Sequence, residues 1–114
     1  MDIDSLRQAI RDFTKERDWG HFHSPKNLAI AVSVEAAELL EVFQWLTPEQ
    51  SDALPVDLLD EAKDEIGDVL ICLLNLCNRL GLDPVQVAAD KFEKVKKKYP
   101  IDKAKGLTLK YSKF

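Results

Sequence analysis

Glu35 and Glu38 stand three residues apart inside a strongly apolar run from Ser24 to Trp45, among Val32, Val34, Ala36, Ala37, Leu39 and Leu40. An ionised carboxylate facing a packed interior loses its hydration, so it must find a cation, a set of donors or a proton. Residues three apart on a helix share a face, and the two acids can therefore act on one partner. The pattern recurs as Glu65-Ile-Gly-Asp68, followed by Val69, Leu70, Ile71, Leu73 and Leu74. On a helix turning about 100° per residue, the members of each pair lie about 60° apart and form a pincer. Four carboxylates with no adjacent histidine make a hard, oxygen-only site, suited to Mg²⁺ or Mn²⁺ rather than zinc. Glu61 falls on the same arc as Glu65 and Asp68, and Glu41 continues the row of Glu38. Geometry alone leaves open which of these join the site. The competing reading is that all of them are solvated faces of two surface helices.

Other chemistries find little support. A di-iron centre in a helical bundle needs Glu-x-x-His, whereas His21 and His23 are the only histidines and both precede the acidic helices. The chain has no G-x-x-x-x-G-K-[ST], no G-x-G-x-x-G and no G-x-S-x-G. With four glycines in all, backbone cradling of phosphate is disfavoured, and an anionic substrate would be held by metal and lysine.

The elements that must position these acids are helices. Ile3, Leu6, Ala9, Ile10 and Phe13 predict an amphipathic helix from about Ser5 to Asp18, stopped by Gly20. Trp19-Gly20-His21-Phe22-His23 then forms an aromatic loop that could stack on a planar ligand or fold back on the core. Ser24-Pro25 starts the acidic second helix with a hydroxyl cap and a proline that needs no donor. Thr47-Pro48-Glu49-Gln50 repeats the signal as a capping box for a short helical turn. A third helix is predicted from Val56 to Leu80, stopped by Gly81, and Asp83-Pro84 caps a fourth that ends before Tyr99-Pro100. The remainder, from Ile101, has weak periodicity and reads as an extended arm. The fold class is all-α, a four-helix bundle with a short extra turn, and residues 1–114 read as a single domain.

Composition agrees with one modest core. A chain of 114 residues, 46% apolar, buries roughly two thirds of its unfolded surface, and four short helices cannot hide every apolar face. Association between copies is therefore expected. The net charge of −4 hides an asymmetry. From Lys91 onward nine lysines face two acids, a net +7, against −11 for the rest. A basic end can attract phosphates, although lysines also suit a helix C-terminus. The N-terminus lacks the layout of a secretory leader, and no apolar run approaches the ~20 residues of a membrane span, so a cytoplasmic protein is expected. Cys72 and Cys77, five apart, match neither a CxxC nor a zinc spacing and read as reduced core thiols.

Taken together, the motifs resemble those of the all-α nucleoside triphosphate pyrophosphohydrolases of the MazG type, and among these the small dCTP pyrophosphatases. The resemblance is carried by Glu16-Arg17-Asp18-Trp19, Phe22-His23-x-Pro25-Lys26-Asn27, and Glu35-x-x-Glu38-Leu39-x-Glu41-x-Phe43-Gln44-Trp45. It continues through Glu65-x-x-Asp68-Val69-Leu70-Ile71, Lys91, Lys98-Tyr99-Pro100 and Lys103-Ala104-Lys105-Gly106. Glu-x-x-Glu alone is a weak signal; the motifs in order along nearly the whole chain are a strong one.

The resemblance implies a MazG-like bundle that forms a tetramer as a dimer of dimers, with Mg²⁺ held by Glu35, Glu38, Glu65 and Asp68. It implies cleavage of a nucleoside triphosphate between its α and β phosphates, releasing a monophosphate and pyrophosphate. Trp19 and Trp45 match base-pocket tryptophans, the latter reaching a neighbouring subunit's site; His23, in the adjoining motif, is a further substrate-binding candidate, and Lys91 matches a phosphate contact. Glu38 is the first candidate to accept a proton from the attacking water. The dCTP branch has histidine at Ile10, tyrosine at Cys72 and asparagine at Val95, which leaves a modified pyrimidine nucleotide as reasonable a substrate as dCTP. The alternatives are a noncatalytic helical interaction module and, against the acidic body of the chain, a basic-tailed binder of nucleic acid.

Overall fold

A computed structural model describes Met1–Phe114, and its backbone is helical without a strand. The first of two compact units, Met1–Leu82, holds α1 (Ile3–Glu16), α2 (Pro25–Phe43), the short α3 (Pro48–Ser51) and α4 (Val56–Leu80). The helix starts follow the sequence signals. Ser24 Oγ accepts the Asn27 N–H at 3.1 Å with Pro25 in the first position, while Thr47 and Gln50 close a capping box ahead of α3. Gly81, at φ 69°, stops α4 in the left-handed conformation that favours glycine.

The end of α1 differs from expectation. The left-handed residue is Asp18, at φ 52°, not Gly20, and α1 closes two residues earlier at Glu16. Asp18 donates its N–H to Lys15 O and Trp19 donates to Thr14 O, both at 3.1 Å. These two bonds are the paired closure of a Schellman motif, the same that Gly81 and Leu82 make at the end of α4. Aspartate tolerates this conformation better than most residues because its short polar side chain bonds locally. Gly20 instead opens a 3₁₀ turn, Gly20–Phe22, in the aromatic loop, and Asn27 Nδ2 donates to Phe22 O at 3.0 Å to tie that turn to α2.

Within this unit α2 packs along α4, and α1 lies across α4. Leu46 and Leu58 line one cavity, Val42 and Glu61 a second, and Leu28 and Arg79 a third, so α2 and α4 run antiparallel. The deepest residues are Ile10, Leu28, Ala62 and Leu74. Buried Arg7 joins α1 to α4, donating from Nε to Asn78 Oδ1 at 3.0 Å and from Nη2 to Leu82 O at 2.7 Å. Asn78 Nδ2 returns a bond to Arg7 O at 3.2 Å. No helix is long and apolar enough to cross a membrane.

The second unit, Asp83–Phe114, begins with α5 (Pro84–Lys98), capped by Asp83 Oδ1, which accepts the Val85 and Gln86 N–H groups. The arm beyond it is not simply extended. It contains α6 (Ile101–Ala104) and a 3₁₀ turn at Tyr111–Lys113, and Tyr99 meets Tyr111 and Phe114 edge-on at 6.1 and 5.6 Å. These aromatic contacts fold the arm back on the end of its own helix.

Candidate metal centre and adjoining cavities

The seam between α2 and α4 explains why the acids converge. On α2 the half-buried or buried residues Leu28, Ala31, Glu35, Glu38 and Val42 recur at spacings of three and four. On α4 the matching row is Leu58, Ala62, Glu65, Val69, Cys72 and Leu76. Such positions normally carry apolar side chains that interlock between helices. Three of them here are glutamates. Asp68, one turn beyond Glu65, stands at the exposed rim.

Glu35, Glu38, Glu65 and Asp68 each place a carboxylate oxygen within 4.8 Å of the others. Glu35 Oε2 and Glu65 Oε2 are buried with no hydrogen-bond donor. Loss of hydration pushes the Glu35 carboxyl above the usual carboxylate range, and Glu38, Asp68 and Glu65 push the same way. Glu65 is raised first by the same desolvation and then by the charges of Glu38 and Asp68. Like charges held this close also repel, and a cation among them would offset that repulsion and give the dehydrated oxygens a partner. The donor set is all oxygen, and two of its oxygens are buried without donors. That fits a hard divalent cation such as Mg²⁺. Glu41, Glu61 and Asp64 line a cavity beside Glu38 and Glu65, and lie outside the four-oxygen cluster.

Cys72, one turn from Asp68, has its thiol pushed up by burial and then by Glu35 and Asp68, so it stays protonated rather than nucleophilic. Both cysteines are free.

Further along the same face of α4 lies an apolar cavity of about 410 Å³ walled by Ile10, Phe13, Trp19 and Ile71, with Thr14, His23 and Asn75 as its polar groups. Trp19 meets Phe13 edge-on at 5.5 Å and His23 at 6.3 Å. The aromatic loop therefore folds onto the end of α1 and forms a slot of a size suited to a planar ring. His23 Nδ1 is buried without a partner.

The remaining sequence candidates lie elsewhere. Trp45 is 87% exposed just past α2, and Lys91 is on α5 in the second unit. Thr14 and Asn75 were not singled out from sequence. Asn75 carried a signal: it is the one polar residue in the apolar run Val69 to Cys77, seven residues after Asp68 and hence on the same face.

The chain is 33% identical over 112 residues to dCTP pyrophosphatase 1 of Mus musculus and 32% identical over 112 residues to that of Homo sapiens. Each match covers 96% of this chain and 66% of the relative, so the chain spans just under two thirds of the length of these relatives. The crystal structure of a pyrophosphatase from Archaeoglobus fulgidus superposes with a TM-score of 0.75 at 39% identity, covering 86% of this chain and 92% of that one. Residues 30–114, which include all four converging acids, match the MazG-like family, and the chain belongs to that family.

Proposed function

We propose that the protein hydrolyses a nucleoside triphosphate to a monophosphate and pyrophosphate, using Mg²⁺, or Mn²⁺ in its place, held by Glu35, Glu38, Glu65 and Asp68. The observation that carries this reading is the convergence of four carboxylate oxygens within 4.8 Å at a helix seam, beside an aromatic slot on the same face of α4. When bound, the cation supplies positive charge against the triphosphate and activates water. Glu38, central to the cluster, accepts the proton of the attacking water. Trp19 and His23 receive the base in the slot, and Lys91 contacts phosphate. The substrate is dCTP or a modified pyrimidine nucleotide, in a cytoplasmic house-cleaning role; Ile10 presents hydrocarbon to a slot with few polar groups, which argues against strict selection of dCTP. Most of the protein's contribution is positioning and charge, as expected for transfer at phosphorus.

The working assembly is a tetramer, a dimer of dimers, in which Trp45 reaches a neighbour's site. Leu59, Ile66, Leu70 and Leu73 form a stripe on α4, each more than 40% exposed. At about 100° per residue this stripe lies roughly opposite the face bearing Glu65, Asp68 and Asn75. Covering it with further copies therefore leaves the site open.

A panel of nucleoside triphosphates assayed for pyrophosphate release with and without Mg²⁺ tests the activity. Release should require the metal, and Glu38→Gln should lower kcat by about 10²–10⁴-fold while the helical circular dichroism is retained. A Glu38→Gln variant as fast as wild type would overturn the assignment.

A further inference from the structure

A second cavity, of about 350 Å³, opens beyond the aromatic slot and shares Thr14, His23 and Asn75 with it. Its character is opposite to that of the acidic cluster, because Arg11, Lys15 and Arg79 line it against a single acid, Asp18. The ion pairs of the protein are Arg17–Glu16, Lys63–Asp60 and Lys96–Glu93, so none of the three cations has a carboxylate within 4.0 Å. Helix dipoles account for part of this arrangement. Lys15 and Arg79 sit in the last turns of α1 and α4, where each carbonyl end carries about half a negative charge. Those two ends and Asp18 together offset about two of the three cations, and roughly one positive charge is left over. Arg79 lies eleven residues past Asp68, about 16 Å along α4, which is more than a Debye length of about 10 Å at ordinary salt. Repulsion from the acidic cluster is therefore largely screened at the cavity.

We propose that this cavity is an oxyanion site, separate from the metal centre, in which Arg11, Lys15 and Arg79 bind a phosphate or carboxylate group. Arg11 and Arg79 supply planar guanidinium forks and Lys15 a point charge, a combination that matches small oxyanions. Two sources share this chemistry: a free phosphate, or a carboxylate carried by the outer edge of a base seated in the adjoining slot. Only the second source rests on the proposed nucleotide hydrolysis.

The test is calorimetric titration of the full chain with inorganic phosphate, in chelator and at constant ionic strength, so that no metal recruits the anion. Wild type should show saturable binding. Arg11→Gln with Arg79→Gln should weaken it by about tenfold or more. Asp18→Asn, which keeps a residue tolerant of the left-handed turn and removes the opposing charge, should tighten it, a gain that misfolding cannot mimic. Absence of saturable binding to wild type, or binding unchanged in both variants, would overturn the site. A second arm compares kcat/KM for dCTP and 5-carboxy-dCTP. A preference for the carboxylated nucleotide that is lost in Arg79→Gln assigns the site to the substrate, whereas equal use of both, with phosphate binding intact, assigns it to a free anion. Failure to hydrolyse any nucleotide would count against the proposed activity and leave the phosphate titration to decide the site.

Discussion

Glu35 and Glu65 hold their charges under strain, since each buries an oxygen without a donor and faces two or more other acids. A carboxyl whose affinity for protons is higher in the native chain than in the unfolded one favours folding at low pH. That advantage is lost as pH rises through the raised native values. In chelator, the melting temperature should therefore fall as the pH rises above the ordinary carboxylate range. Saturating Mg²⁺ should raise it more at higher pH than at lower, because protons compete with the metal for the same oxygens. Glu35→Gln should flatten the chelated profile and shrink the metal-induced rise. Melts followed by circular dichroism decide this, and a pH-independent melting temperature unmoved by Mg²⁺ would show that the four acids neither repel one another nor share a cation.

At the scale of the helix, α1 is held by few groups, and Arg7 carries more of the attachment than its residue type suggests. Its guanidinium spans Asn78 Oδ1 and Leu82 O near the end of α4, and its own carbonyl accepts from Asn78. Arg7→Ala leaves Asn78 and the Leu82 carbonyl without these donors and should cost about 2–3 kcal/mol in urea denaturation. Arg7→Lys should recover only part, since an ammonium cannot span both acceptors in one plane. A cost below about 0.5 kcal/mol would place the attachment in apolar packing alone.

The same helix shows what the sequence made legible. The starts of α2, α3 and α5 followed from Ser24-Pro25, Thr47-Pro48 and Asp83-Pro84 because caps act within three residues. The end of α1 did not, because Asp18 performs a turn usually marked by glycine, and a glycine that does not make the turn stands two residues on at Gly20. The acidic pairs were legible as pairs, and their seam positions could be read from the three-and-four spacing they share with Leu28 and Val42. The aromatic slot and the basic cavity were not. Each joins residues of α1 and its following loop to Asn75, a juxtaposition that depends on how α1 crosses α4 and leaves no local mark.

At the scale of the molecule, a core whose fully buried residues number so few leaves apolar helix surface that water meets at a cost. Ile66 is 53% exposed and Leu40 61% exposed, and burying such side chains contributes about 25 cal/mol per Å². Ile66→Glu with Leu73→Glu should shift the species in sedimentation velocity toward the monomer while helicity is retained. Trp45, 87% exposed, offers a sharper test because its proposed role lies in another copy's site. Trp45→Ala should raise KM for the nucleotide, and Glu38→Gln should abolish turnover, each in its own homo-oligomer. If Trp45 acts across an interface, unfolding and refolding the two variants together at equal amounts creates hybrid sites with one intact Glu38 and one intact Trp45. Random pairing predicts about a quarter of the wild-type activity at substrate levels too low for the Trp45→Ala sites to work. Activity no greater than the mean of the separate variants would place Trp45 outside its neighbour's pocket and leave its exposure to be explained by the subunit contact alone.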